Sequence, residues 1–152
     1  MNRRIVLMAT GLGRGGAETQ LVRLTLGLAA RGWQPVIGSV VPIVSFQEEL
    51  ATIGVSPFCL NIPKGSPDPR GLARFLAIVA RHRPSVICTF LEAANTLGVV
   101  AGAALRVPVV VSSIRSSPVH TRSAELQTKL ARPLRDAVTF NSQLVADECV
   151  SR

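Results

Sequence analysis

An apolar run, Ile5-Val6-Leu7-Met8-Ala9, meets a glycine-dense turn, Thr10-Gly11-Leu12-Gly13-Arg14-Gly15-Gly16. An amphipathic run follows, with Ala17, Leu21, Leu24 and Leu28 at spacings of four, three and four. The first run is too short for a helix and shows no polar alternation, so it reads as a strand buried on both faces. The second reads as a helix. A buried strand, a glycine turn and a helix are the opening unit of a parallel α/β sheet. Glycine lets a backbone approach a ligand closely and take positive φ. The helix turns its unpaired N–H groups and positive dipole end back on the turn. The expected guest is an anion, above all a phosphate; a tight turn with no ligand is the bland alternative.

The rest of the chain repeats this alternation. Strands are expected over residues 35–41, 55–60, 86–89, 107–113 and 138–140. The first helix should cover residues 17–31 and stop at Gly32. A short helix is expected over 46–52. Asp68-Pro69 reads as an N-cap and first helical residue. The helix behind it sets Leu72, Phe75, Leu76 and Val79 on one face and closes at Arg81-His82-Arg83-Pro84. A polar turn over 92–96 should lead into a helix through Leu105. A polar, irregular segment over 114–122 precedes a helix over 123–134, and a last helix starts near Gln143. Such alternation calls for one doubly wound parallel sheet with helices on both faces, spanning residues 1–152.

Bulk properties narrow the class. Cys59, Cys88 and Cys149 are odd in number and widely spaced, which argues against a disulfide framework and a zinc site and fits a reducing, cytoplasmic location. The run after Arg3-Arg4 is shorter than a signal peptide needs, and the apolar stretch ending at Leu105 is too short to span a bilayer. The net charge of +8 favours anionic partners, among them phosphorylated ligands and an anionic membrane surface. Nucleic acid is disfavoured, because aromatics are only 4% of the chain and offer no stacking platform.

In doubly wound sheets ligands sit beyond the carboxyl ends of the strands, where strand order reverses. Gly11, Gly13 and Gly16 spell the dinucleotide spacing, yet no Asp or Glu stands between Val36 and Phe46 to hold a ribose. A P-loop is excluded more firmly, because no Lys-Ser/Thr follows the glycines. Arg115, with hydroxyls of Ser112, Ser113 and Ser116, can clamp a phosphate or carboxylate, or can be a solvated surface arginine. Glu92 can act as a general base or hold sugar hydroxyls, or can be a first-turn acid; Asn95 stands three residues on. His120 is weakly placed for acid–base work. No catalytic triad or metal-binding cluster emerges.

Several blocks together resemble glycosyltransferases of family 4, which have the two-domain GT-B architecture. They are the opening strand with Gly15-Gly16-Ala17-Glu18, the segments 89–98 and 107–115, and Asp136-Ala137-Val138-Thr139-Phe140-Asn141-Ser142. The resemblance implies the N-terminal, acceptor-side, Rossmann-like half of an enzyme that moves a sugar from a nucleotide-diphosphate sugar to a glycan or lipid-linked acceptor. Cell-envelope polysaccharide or lipopolysaccharide synthesis is the expected setting. On that pattern Gly15, Gly16 and Glu18 face the donor diphosphate and acceptor. Arg115 positions acceptor or phosphate, and Glu92 and Asn95 flank Ala93, where relatives often carry a histidine. The donor would be held mainly by a C-terminal domain absent from these residues, so this stretch alone is expected to be inactive. No metal or other cofactor is implied. The expected location is the cytoplasm, with peripheral contact at the inner face of the membrane. An NAD(P)-binding oxidoreductase domain and a non-catalytic remnant are the rival readings.

Overall fold

A computed structural model describes residues 2–42, 45–63, 68–114 and 136–140. Six strands form one sheet: β1 (Arg4–Ala9), β2 (Gln34–Ser39), β3 (Phe58–Cys59), β4 (Val86–Phe90), β5 (Val109–Ile114) and β6 (Ala137–Phe140). The spatial order is β3-β2-β1-β4-β5-β6, and every neighbouring pair is parallel. The helices are α1 (Gly16–Ala29), α2 (Gln47–Ala51), α3 (Pro69–His82) and α4 (Glu92–Leu105).

The central strand decides which helix goes where. Successive side chains of a strand point to opposite faces. In β1, Ile5, Leu7 and Ala9 join Leu21 and Val22 of α1 and Leu50 of α2. Val6 and Met8 join Phe75 and Val79 of α3 and Ala94 and Ala101 of α4. The uninterrupted apolar run thus supplies two cores at once, and helices cover both faces as expected.

Close approach on the α4 side depends on small residues. A Cβ added at Gly98 would overlap Cγ2 of Thr89 in β4, and one at Gly102 would overlap Val110 in β5. Asp68 caps α3 by accepting from the Arg70 N–H at 2.9 Å, with Pro69 as the first helical residue. Gly32 takes φ +77 behind α1, the left-handed turn a helix stop requires.

Two expectations are corrected. The third strand was expected over 55–60 but pairs only at Phe58 and Cys59, opposite Gly38 and Ser39. Pro57 has no N–H to donate, and the Val55 N–H turns back to Leu50 O at 3.1 Å. Residues 92–96 are the first turns of α4 and not a polar turn before it. The helices expected over 123–134 and from Gln143 lie outside the described residues.

Candidate active site

The order in which strands are added reverses between β1 and β4, so the crevice opens above Ala9 and Phe90. The glycine turn leaves β1 there and is braced from two sides. Val40 and Val41 donate to Ala9 O and Thr10 O at 3.1 and 2.9 Å, and Ser45 donates to Leu12 O at 3.2 Å. Leu12 is fully buried among the α1-side core residues and fastens the turn from beneath.

Gly15 is the N-cap of α1, with extended torsions (φ −92, ψ 165) and no side chain capping the helix. Its carbonyl accepts from the Thr19 N–H at 2.9 Å and Thr19 Oγ1 at 2.8 Å, leaving the N–H end of the helix facing the crevice. None of the turn glycines has positive φ, which corrects that part of the sequence reading. An added Cβ at Gly13 or Gly16 would meet nothing within 4 Å. Neither torsion nor packing demands glycine at these two places. What glycine provides there is an uncovered backbone. Glu18 folds back so that its carboxylate occupies the space above Gly15, where a Cβ would overlap Oε2. An acidic side chain already sits where a bound anion would feel the helix dipole.

The second wall comes from the β4–α4 junction. Leu91 has φ 74 and ψ 158, a region that glycine alone adopts without strain, at about 1–3 kcal/mol for other residues. Its N–H donates to Ser113 O at 3.3 Å, and its carbonyl accepts from the Asn95 N–H at 2.9 Å. Asn95 Nδ2 also donates to Ser113 O at 3.1 Å, and Asn95 Oδ1 is buried with no hydrogen-bond partner. Asn95 therefore ties the start of α4 to the end of β5, while Glu92 remains exposed at the first helical position.

Asn95 and the end of β5 are thus brought together, with Glu92 exposed on the first turn of the same helix and the glycine turn and Glu18 at the neighbouring strand's exit. Arg115 and His120 lie outside the described residues. The expected grouping of Ser112 and Ser113 hydroxyls on one anion does not hold. Both side chains are buried, and adjacent strand residues face opposite sides of the sheet. Their Oγ atoms and Thr10 Oγ1 are buried without partners at the same edge of the sheet. Sequence reasoning missed Leu12, although an apolar residue between two glycines is a legible anchor, and Leu91, which carries no signal at all.

The dinucleotide reading meets a structural objection. The residue ending β2, where a ribose-binding acid would stand, is Ser39; it is fully buried and its hydroxyl donates to Val41 O. Among the described residues no group of His, Cys, Asp and Glu is arranged to hold a metal ion, and no helix is long and apolar enough to cross a membrane.

The model of Glycosyltransferase Family 4 matches residues 14–152. The chain belongs to this family. The match begins inside the glycine turn and runs through both walls of the crevice. Solved structures agree on the fold. A glycosyltransferase from Rickettsia africae superposes with TM-score 0.69 at 13% identity, covering 100% of this chain and 40% of its own. Acinetobacter baumannii MurG gives 0.65 at 13%, covering 91% and 41%. A UDP-GlcNAc 2-epimerase from Methanocaldococcus jannaschii gives 0.63 at 7%, covering 97% and 42%. The chain thus spans about two-fifths of the length of these proteins. The epimerase shows that this fold also serves a chemistry other than transfer, so family membership rests on the family match. No curated protein matches.

Proposed function

We propose that this chain is the acceptor-side domain of a glycosyltransferase that moves a sugar from a nucleotide-diphosphate sugar to a glycan or lipid-linked acceptor in cell-envelope synthesis. The observation that carries this reading is the family match over a crevice whose floor is an uncapped helix N-terminus. The similarity to a UDP-GlcNAc 2-epimerase supports a uridine nucleotide as the probe.

In the proposed reaction the bond from the sugar's anomeric carbon to the diphosphate breaks, and a bond from that carbon to an acceptor hydroxyl oxygen forms. The N–H groups of Gly15 and Gly16 offset negative charge growing on the departing diphosphate. Glu92 takes the proton of the acceptor hydroxyl, while Asn95 and Glu18 hold neighbouring hydroxyls and Arg115 a phosphate. Preorganisation supports the first role, because both glycines are held by the braced turn. A second domain, following residue 152, holds most of the donor; no metal or other cofactor takes part. The protein works in the cytoplasm, peripherally at the inner face of the membrane.

Amide-resolved NMR titration tests the reading. UDP and inorganic pyrophosphate should shift the amides of residues 13–18, while NAD(H) and NADP(H) should leave them unmoved at micromolar concentration. Micromolar dinucleotide binding would replace transfer with redox chemistry. Turnover of a nucleotide sugar by residues 1–152 alone, at the rate of an intact transferase, would refute the division into two domains.

A further inference from the structure

Among the described residues, the end of the sheet opposite the crevice gathers the excess of positive charge. In a parallel sheet the strands begin, and the helices between them end, at one pole. Arg3 and Arg4 lie where β1 begins, Arg31 just behind α1, Arg81 and Arg83 at the close of α3, and Arg106 behind α4; all are exposed. They form one surface. Arg3 Nη1 donates to Arg31 O at 3.3 Å, Arg4 Nη1 to His82 O at 2.9 Å, and Asn2 Nδ2 to Arg83 O at 2.8 Å.

Helix ends explain part of this charge. Each C-terminus carries about half a negative charge, so three of them balance roughly one and a half of the six positive ones. The described ion pair, Arg74 with Asp68, lies at the far end of α3. Asp136 is the acid at this pole among the described residues, and its Oδ2 accepts from the Val110 N–H at 2.7 Å. Arg81 and Arg106 make no side-chain hydrogen bond or ion pair among the described residues.

Aliphatic surface accompanies the charge. Leu105 is 38% and Val109 36% exposed, and exposed Pro108 lies between them, directly beside Arg106. Guanidinium groups match phosphate in a two-pronged geometry, and adjacent aliphatic side chains suit the boundary between lipid headgroups and acyl chains. A nucleic-acid surface would need free base-stacking aromatics, and Trp33, which stands at this pole before β2, is half-buried and packed against the α1-side core.

We propose that this pole is the membrane-docking face, seated on an anionic phospholipid surface with the arginines on lipid phosphates and Leu105, Pro108 and Val109 at the acyl boundary. It gives the peripheral contact of the proposed function a location, and rests on that reading only for the class of partner.

Co-sedimentation with vesicles, without any nucleotide sugar, tests it separately from sugar transfer. The protein should bind vesicles of mixed phosphatidylglycerol and phosphatidylcholine and leave those of phosphatidylcholine alone. R81E/R106E should lower binding at least about tenfold. The equal charge change R23E/R70E, away from the pole, should lower it less than about threefold. L105S should lower it about threefold. Far-UV circular dichroism identifies variants that fold, and R81Q/R106Q supplies a milder pair with the same expected ranking. Equal losses for both double variants would reduce the effect to diffuse net charge and overturn the docking face. Unchanged vesicle binding by R81E/R106E, or loss of duplex-DNA retention by it with vesicle binding intact, would overturn it as well.

Discussion

Replacing Gly16 by proline separates what the glycine turn does for folding from what it does for binding. Gly16 is the first helical residue of α1, the one interior helix position that tolerates proline. Proline also forces its predecessor to be extended, and Gly15 is already at φ −92 and ψ 165. A side chain at residue 16 enters open space. The substitution should therefore leave the fold intact and stabilise it by about 0.4–1 kcal/mol, chiefly by restricting the unfolded chain. For a domain of this size that raises Tm by roughly 1–4 °C. The same change deletes one N–H aimed at the crevice. A hydrogen bond to a charged group contributes about 1.5–3 kcal/mol, so pyrophosphate should bind about tenfold to more than a hundredfold more weakly. Differential scanning calorimetry reads the first effect and NMR titration with pyrophosphate the second. A fall in Tm of several degrees would show that glycine is needed for the turn itself. Unchanged pyrophosphate affinity with Tm preserved would show that this N–H meets no anion.

Glu18→Gln should strengthen pyrophosphate binding by about threefold or more, since it removes a like charge from above Gly15; weaker binding in the same titration would contradict an anion seated there. Gly98→Ala should destabilise by about 1–3 kcal/mol, and adding Thr89→Ala should recover most of that loss, because the new methyl meets the Thr89 side chain; additive losses in urea denaturation would refute the contact. Asp68→Ala should cost about 1 kcal/mol by uncapping α3, and Asp68→Asn much less, the exposed Arg74 pair contributing little; equal losses on thermal melting would give the weight to the ion pair. On the proposed reaction, Glu92→Gln in a protein carrying both domains should lower kcat at least about a hundredfold with Tm unchanged, and an unaltered kcat would remove Glu92 from the chemistry.

What the chain discloses in advance is periodicity. Ile5 to Ala9 carries no polar break, and a strand with two covered faces follows from that; Leu72, Phe75, Leu76 and Val79 likewise announce the inner face of α3. Punctuation by single residues is nearly as legible, as Asp68-Pro69 and Gly32 show. Pairing extent is less so. The run 55–60 looks like a strand throughout, but Pro57 and the turn-back of Val55 leave only two residues in the ladder. The crevice divides along the same line. The bare N-terminus of α1 is written in the glycines. The strained Leu91 and the Asn95–Ser113 tie depend on how two strands meet, which no local pattern encodes. Neighbouring serines look like a shared clamp until strand alternation sends Ser112 and Ser113 to opposite sides.

Placing charge at one end of a sheet and chemistry at the other builds a ruler into the molecule. β1 runs six residues from the arginine-rich pole to the crevice, about 20 Å at strand rise. A protein resting on that pole would hold its crevice at this standoff from the headgroups. A sugar attached directly to a lipid phosphate would lie below its reach, whereas the free end of a glycan several residues long would arrive at the right height. The length of a strand would then help to decide which acceptors the enzyme can extend.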